Sequence, residues 1–203
     1  MLIYNYYSLE SNNDDVARLT SVYTITAHDK DINSIDVAPN DKLFASGSQD
    51  KTAKIWSTAD GSLLATLRGH RRGIWCVKFS PVDQVLATSS SDKTIKIWSL
   101  IDSTCLKTFE GHTNSVLQVS FLTSGMQLIS SGSDGLVKLW TIKTNACENT
   151  FDNHDDKVWA LITKKDEKYV ITGGADSRIN IWEDYTKQEI EEKQKANEEL
   201  ILK

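Results

Sequence analysis

The chain has 203 residues, 39% hydrophobic, 25% charged and 8% aromatic, a balance that excludes a disordered or fibrous protein. Its net charge of −5 leaves no basic footprint of the kind nucleic-acid binding demands, and no run approaches the roughly 20 consecutive apolar residues of a membrane span. Cys76, Cys105 and Cys147 form no Cys-x-x-Cys pair, so neither a disulfide framework nor a cysteine zinc site is expected.

Residues 1–21 are polar and weakly patterned and read as an N-terminal extension able to supply one edge strand. From 22 to 183 the chain repeats. His28, His70, His112 and His154 are spaced 42 residues apart, and the same step relates Asp50, Asp92, Asp134 and Asp176. Trp56, Trp98, Trp140 and Trp182 form a third column, and Ser46, Thr88, Ser130 and Thr172 a fourth.

Within a unit the apolar pattern has period two, as in GIWCVKFS, VLATSS, TIKIWS and CLKTFEG, which predicts four short strands. The polar stretches APNDK, SPVDQ, LTSGM and TKKDEK separate the first strand from the second, and SQDKT, SSDKT, GSDGL and GADSR the second from the third. Four antiparallel strands per 42 residues, with Gly-His ahead of the first and Trp ending the third, resemble the WD-repeat (WD40) blade of a β-propeller. The fold class is therefore all-β: a four-blade WD40 propeller, expected to be an unclosed ring.

The four columns predict one structural network per blade. The Asp accepts from the histidine ring, the ring meets the Ser or Thr hydroxyl, and the indole N–H supplies a further donor. Ser46, His28 and Asp50 imitate a nucleophilic triad, but a catalytic set occurs once beside a pocket, whereas this one recurs four times with a tryptophan in register. The histidines fall in separate blades and do not converge on a metal. With no phosphate-binding glycine loop either, no enzyme activity, cofactor, metal or small-molecule substrate is expected.

Residues that vary between repeats at one position are candidates for partner contacts. The sixth position, counting each histidine as one, holds Asn33, Trp75, Leu117 and Trp159 and is expected at the rim where the histidine loops open. Arg68, Arg71, Arg72 and Lys78 form a basic cluster around His70. The candidate contacts are Arg71, Arg72, Trp75, Leu117, Lys157 and Trp159, suited to an acidic peptide or an RNA backbone. Packing between blades and ordinary solvated loop charges are the competing readings. Cys105 and Cys147 share an outer-strand column and read as structural.

Residues 184–203 change character. Glu189 with Lys193 and Glu191 with Lys195 have helical i, i+4 order, which predicts a short acidic C-terminal α-helix ending in an apolar Leu200-Ile201-Leu202. Four blades would leave apolar faces open at both ends of the arc, which suggests part of a longer protein.

The strings HDKDIN, GHRRG and GSDGLVKLWTIK, followed by the acidic helix, are similar to the family of transducin beta-like protein three, from about residue 24 onward. That resemblance implies a WD-repeat subunit of the UtpB subcomplex of the small-subunit processome. It further implies a nucleolar scaffold supporting pre-rRNA processing and 18S rRNA maturation, with other UtpB proteins as partners and RNA, including small nucleolar RNA, met through the assembly. The alternative is a generic WD40 adaptor or substrate receptor that captures a peptide on the propeller rim.

Overall fold

Alternating apolar and polar residues between tight polar turns dictate strands, and in the computed structural model strands are the regular elements of the described residues, 2–4, 20–122, 125–164 and 168–183. β1 (Leu2–Tyr4) pairs antiparallel with β2 (Ser21–Thr24) as a separate two-stranded sheet. β2 therefore starts on the last residue assigned to the extension, and it occupies the repeat column of the outer strands that follow. The expected C-terminal helix at 184–203 lies outside the described residues.

The first blade is β3 (Ile32–Val37), β4 (Leu43–Ser48), β5 (Thr52–Ser57) and β6 (Leu63–Arg68), paired in that order. The second is β7 (Ile74–Phe79), β8 (Val85–Ser90), β9 (Thr94–Ser99) and β10 (Cys105–Glu110). The third is β11 (Val116–Leu122), β12 (Gln127–Gly132), β13 (Val137–Thr141) and β14 (Ala146–Phe151). The fourth sheet holds β15 (Val158–Thr163), β16 (Tyr169–Gly174) and β17 (Ile179–Glu183). All neighbours are antiparallel, so each blade is a meander.

The core lies between blades rather than within one. Ala53, Ile55 and Leu67 of blade one pack with Ile74, Val77 and Phe79 of blade two. Ile95, Ile97 and Phe109 meet Val116, Val119 and Phe121 at the next junction, and Val137 meets Val158 and Leu161 at the third. Each such fully buried aliphatic contributes roughly 1.5–3 kcal/mol relative to exposure. The innermost strands β3, β7, β11 and β15 together line a central channel with a cavity of about 310 Å³.

The second turn of each unit closes through one left-handed residue. Lys51, Lys93, Gly135 and Ser177 share that column with φ of 74°, 73°, 79° and 63°. In the first of these turns the Lys51 N–H donates to the Ser48 carbonyl at 3.2 Å. Such a residue after a tight turn brings the strands back into register, and it holds the preceding Asp at the blade's mouth.

Candidate interaction face

The mouth of each blade is built from the four repeating columns. In blade two His70 Nδ1 lies 2.8 Å from Asp92, Nε2 lies 2.7 Å from Thr88 Oγ1, and Trp98 Nε1 donates to the same oxygen at 2.8 Å. Blade one repeats this with His28, Asp50, Ser46 and Trp56 at 2.8, 2.7 and 2.8 Å. His112, Asp134, Ser130 and Trp140 do so at 2.9, 2.8 and 2.8 Å. In blade four the His154, Asp176, Thr172 and Trp182 distances lengthen to 3.0, 2.9 and 3.0 Å. The four hydroxyls are buried and already hydrogen-bonded, so each carries structure and none is presented to solvent as a nucleophile.

Two features of this network escape a column reading. Thr52 and Thr94 donate to Asp50 and Asp92 at 2.6 and 2.7 Å, a role that the repeated Asp-Lys-Thr triplet signals in the first two blades and that Leu136 and Arg178 do not carry in the others. Gly69 and Gly111 sit at φ 156° and 154°, and an added Cβ would stand 3.0 Å from the indole of Trp98 or Trp140. That close approach accounts for the glycine of the Gly-His pair.

The carboxylates are held ionised. Burial pushes Asp50 up, but hydrogen bonds from Thr52 and His28 outweigh it and bring the group down to about 2. Asp134 balances burial against His112 and the Thr113 N–H and also falls to about 2. Asp92 and Asp176 are lowered by the same contest between burial and hydrogen bonding.

The sixth-position residues share a feature that the sequence pattern does not reveal. In each innermost strand the pairing register slips by one there: Ile32 faces Ser48 and Ser34 faces Gly47, Ile74 faces Ser90 and Cys76 faces Ser89, and blades three and four follow suit. Asn33, Trp75, Leu117 and Trp159 are thus the extra residues of four equivalent β-bulges, a device that re-aims a side chain out of the ladder.

Their fates differ. Trp75 and Trp159, from blades two and four, meet edge to face with ring centroids 6.2 Å apart. Trp75 Nε1 donates to Ser91 Oγ at 2.7 Å, while Trp159 stays 48% exposed. Leu117, expected as a surface contact, is only 2% exposed. Asn33 donates through Nδ2 to the Ile74 carbonyl at 2.7 Å, fastening blade one to blade two.

The basic cluster also divides. Arg68, Arg71, Arg72 and Lys157 are exposed, and the Lys157 ammonium stands 4.0 Å from Asp156. Lys78 leaves the cluster: it lines the central channel and pairs with Asp36 at 2.8 Å. Among the described residues no group of three or more His, Cys, Asp or Glu is placed to hold a metal ion.

Residues 19–57, 61–99, 103–141 and 145–183 each match the family model described as WD domain, G-beta repeat. The chain belongs to the WD40 family. Each matched span runs from an outer strand through the next three, so β2 opens the first WD40 repeat. Over 47 residues the chain is 57% identical to U3 small nucleolar RNA-associated protein 13 of Saccharomyces cerevisiae, a stretch covering 23% of this chain and 6% of that relative. Over 39 residues, 19% of this chain and 5% of the relative, it is 67% identical to Transducin beta-like protein 3 of Bos taurus. Pre-mRNA-processing factor 19 of Oryza sativa subsp. japonica is 49% identical over 37 residues, 18% of this chain and 7% of its own length. The stretches matched are about one WD40 blade long and span under a tenth of each relative.

Proposed function

We propose that this WD40 chain is a non-catalytic scaffold for protein contacts in nuclear ribosome assembly, acting in the small-subunit processome within the nucleolus. The observation that carries the reading is the rim pair of Trp75 and Trp159, two aromatic side chains re-aimed by bulges and flanked in sequence by the exposed Arg71, Arg72 and Lys157. The polar groups that resemble catalytic machinery are spent on structure, which leaves surface recognition as the chemistry on offer. The name of the yeast relative, U3 small nucleolar RNA-associated protein 13, directs that recognition toward U3 small nucleolar RNA-associated assemblies. In this reading the blades of 22–183 present the surfaces, UtpB proteins are the partners, and RNA is met through the assembly.

The test is affinity purification of the tagged chain from its own cells, with co-purifying proteins and RNA identified. Processome proteins with pre-rRNA are expected, and Trp159→Ala should reduce their recovery roughly tenfold or more. Recovery of an unrelated peptide-bearing partner through the same tryptophans would favour an adaptor instead. Unchanged recovery from a Trp75→Ala, Trp159→Ala double variant would overturn both readings.

A further inference from the structure

One turn, Ser90 to Asp92, holds both the basic loop of blade two and its rim indole. The Arg71 N–H donates to the Asp92 carboxylate at 2.8 Å, and the Gly73 carbonyl accepts the Ser91 N–H and the Ser90 hydroxyl, both at 2.9 Å. The Trp75 indole N–H donates to Ser91 Oγ at 2.7 Å, and Trp75 in turn meets Trp159 edge to face. The exposed Arg71 and Arg72 and the half-exposed Trp159 therefore belong to one patch whose backbone and first indole are already fixed. The other blades do not repeat it, because Asn33 and Leu117 replace the tryptophan in blades one and three, and Ala175 replaces Ser91 in blade four.

Charge is distributed around the patch just as unevenly. The three residues that follow each histidine are Asp-Lys-Asp in blade one, Arg-Arg-Gly in blade two, Thr-Asn-Ser in blade three and Asp-Asp-Lys in blade four. Blade four answers its own carboxylates, with Arg178 at 2.7 Å from Asp155 and Lys157 at 4.0 Å from Asp156. Neither Arg71 nor Arg72 forms an ion pair among the described residues, so two adjacent guanidinium forks are left for an outside anion.

Resting on the scaffold reading of this rim, we infer that its partner segment is a short acidic peptide, with carboxylates on Arg71 and Arg72 and an adjoining aromatic or aliphatic side chain on Trp159. RNA fits the charge layout less well. A phosphate backbone carries its charge onward at every nucleotide, onto Asp29 and Asp31 on one side and Asp155 and Asp156 on the other, in a chain of net charge −5. A short run of carboxylates spans the guanidinium pair and ends before those loops, while the uncharged blade-three loop lets an apolar residue pass to Trp159.

The test is fluorescence anisotropy of the 203-residue chain with a labelled Glu-Glu-Glu-Phe peptide in Gly-Ser spacers, across a salt series. Saturable binding that weakens with salt is expected, and a Gln-Gln-Gln-Phe counterpart, which tests charge without altering the protein, should bind roughly tenfold or more weakly. An Arg71→Gln, Arg72→Gln double variant, changed only at exposed positions, should lose a similar factor and most of the salt dependence. Trp159→Ala should weaken binding and leave the salt dependence in place. No binding of the glutamate peptide, equal binding of its glutamine counterpart, or tighter binding of an oligouridine of equal length would each overturn the inference. Failure of the glutamate peptide while the tagged chain still recovers processome proteins from cells sinks the peptide chemistry and spares the scaffold reading. Binding of the peptide without such recovery sinks the scaffold assignment instead and upholds the peptide site.

Discussion

Thr88 Oγ1 lies 2.7 Å from His70 Nε2 while receiving the Trp98 indole N–H at 2.8 Å, so one buried hydroxyl serves two ring systems. With the His70 Nδ1–H directed at Asp92, the hydroxyl donates to Nε2 and accepts from the indole, which uses its single proton and one lone pair. Thr88→Val keeps the shape and strands both partners, and should cost about 1–3 kcal/mol for each stranded group. Thr88→Ser retains the hydroxyl, as Ser46 and Ser130 do in blades one and three, and should cost about 1 kcal/mol for the lost methyl. Urea denaturation of the two variants separates the effects; equal losses would assign the column to packing alone.

The carboxylates of the same network set the acid limit of stability. Asp50 and Asp134 are held at about 2 in the fold, against about 3.9 in the unfolded chain. A depressed carboxylate stabilises fully where both states are ionised, above about pH 5, and loses that contribution as pH falls through about 4 toward 2. Urea midpoints should therefore be level from neutral pH to about 5 and then drop steeply. Asp134→Asn should be less stable at neutral pH but show a shallower acid drop. An unaltered acid profile in that variant would remove the carboxylate from the explanation.

A third relationship crosses the first junction. Asp36 accepts the Lys78 ammonium on Oδ1 and the Phe79 N–H on Oδ2, both at 2.8 Å. The lysine is 44% exposed, so Lys78→Ala should cost less than about 1 kcal/mol. Asp36→Ala also strands a backbone donor and should cost about 1–2 kcal/mol more. Thermal unfolding of both variants decides it, since equal costs would mean that the backbone bond contributes little.

How far the sequence reached follows from what the 42-residue step encodes. It assigns strands and equivalent columns, so the His, Asp, Ser or Thr, and Trp sets could be named before any geometry was known. It carries no information on what happens between columns of adjacent blades. Lys78 reads as a neighbour of Arg71 and Arg72 in the chain, yet its partner is Asp36, 42 residues earlier and one blade over. Leu117 reads as equivalent to Trp75 and Trp159, yet it is buried at 2% exposure where Trp159 stays 48% exposed, a difference that a shared column does not encode. A one-residue bulge leaves only a phase slip in the period-two pattern, with Ile74 and Val77 three residues apart in the same core cluster, and a six-residue strand gives that slip little room to show in the sequence. The expected helix at 184–203 lies outside the described residues and stays an expectation from charge spacing.

One further column divides in a way that can be measured. Ser89 and Ser131 are equivalent, and both are buried. Ser131 Oγ donates to the Val158 carbonyl at 3.1 Å, joining blade three to blade four, whereas Ser89 Oγ has no hydrogen-bond partner among the described residues. A buried hydroxyl without a partner costs about 1–3 kcal/mol in desolvation, and an alanine at that site removes the cost while keeping the Cβ in place. Ser89→Ala should therefore raise stability by about 1 kcal/mol, and Ser131→Ala should lower it by about the same amount. Urea midpoints moving in opposite directions would establish that the hydroxyl at this column is useful only where the next blade supplies an acceptor. A loss of stability in both would mean that Ser89 finds a partner in solution.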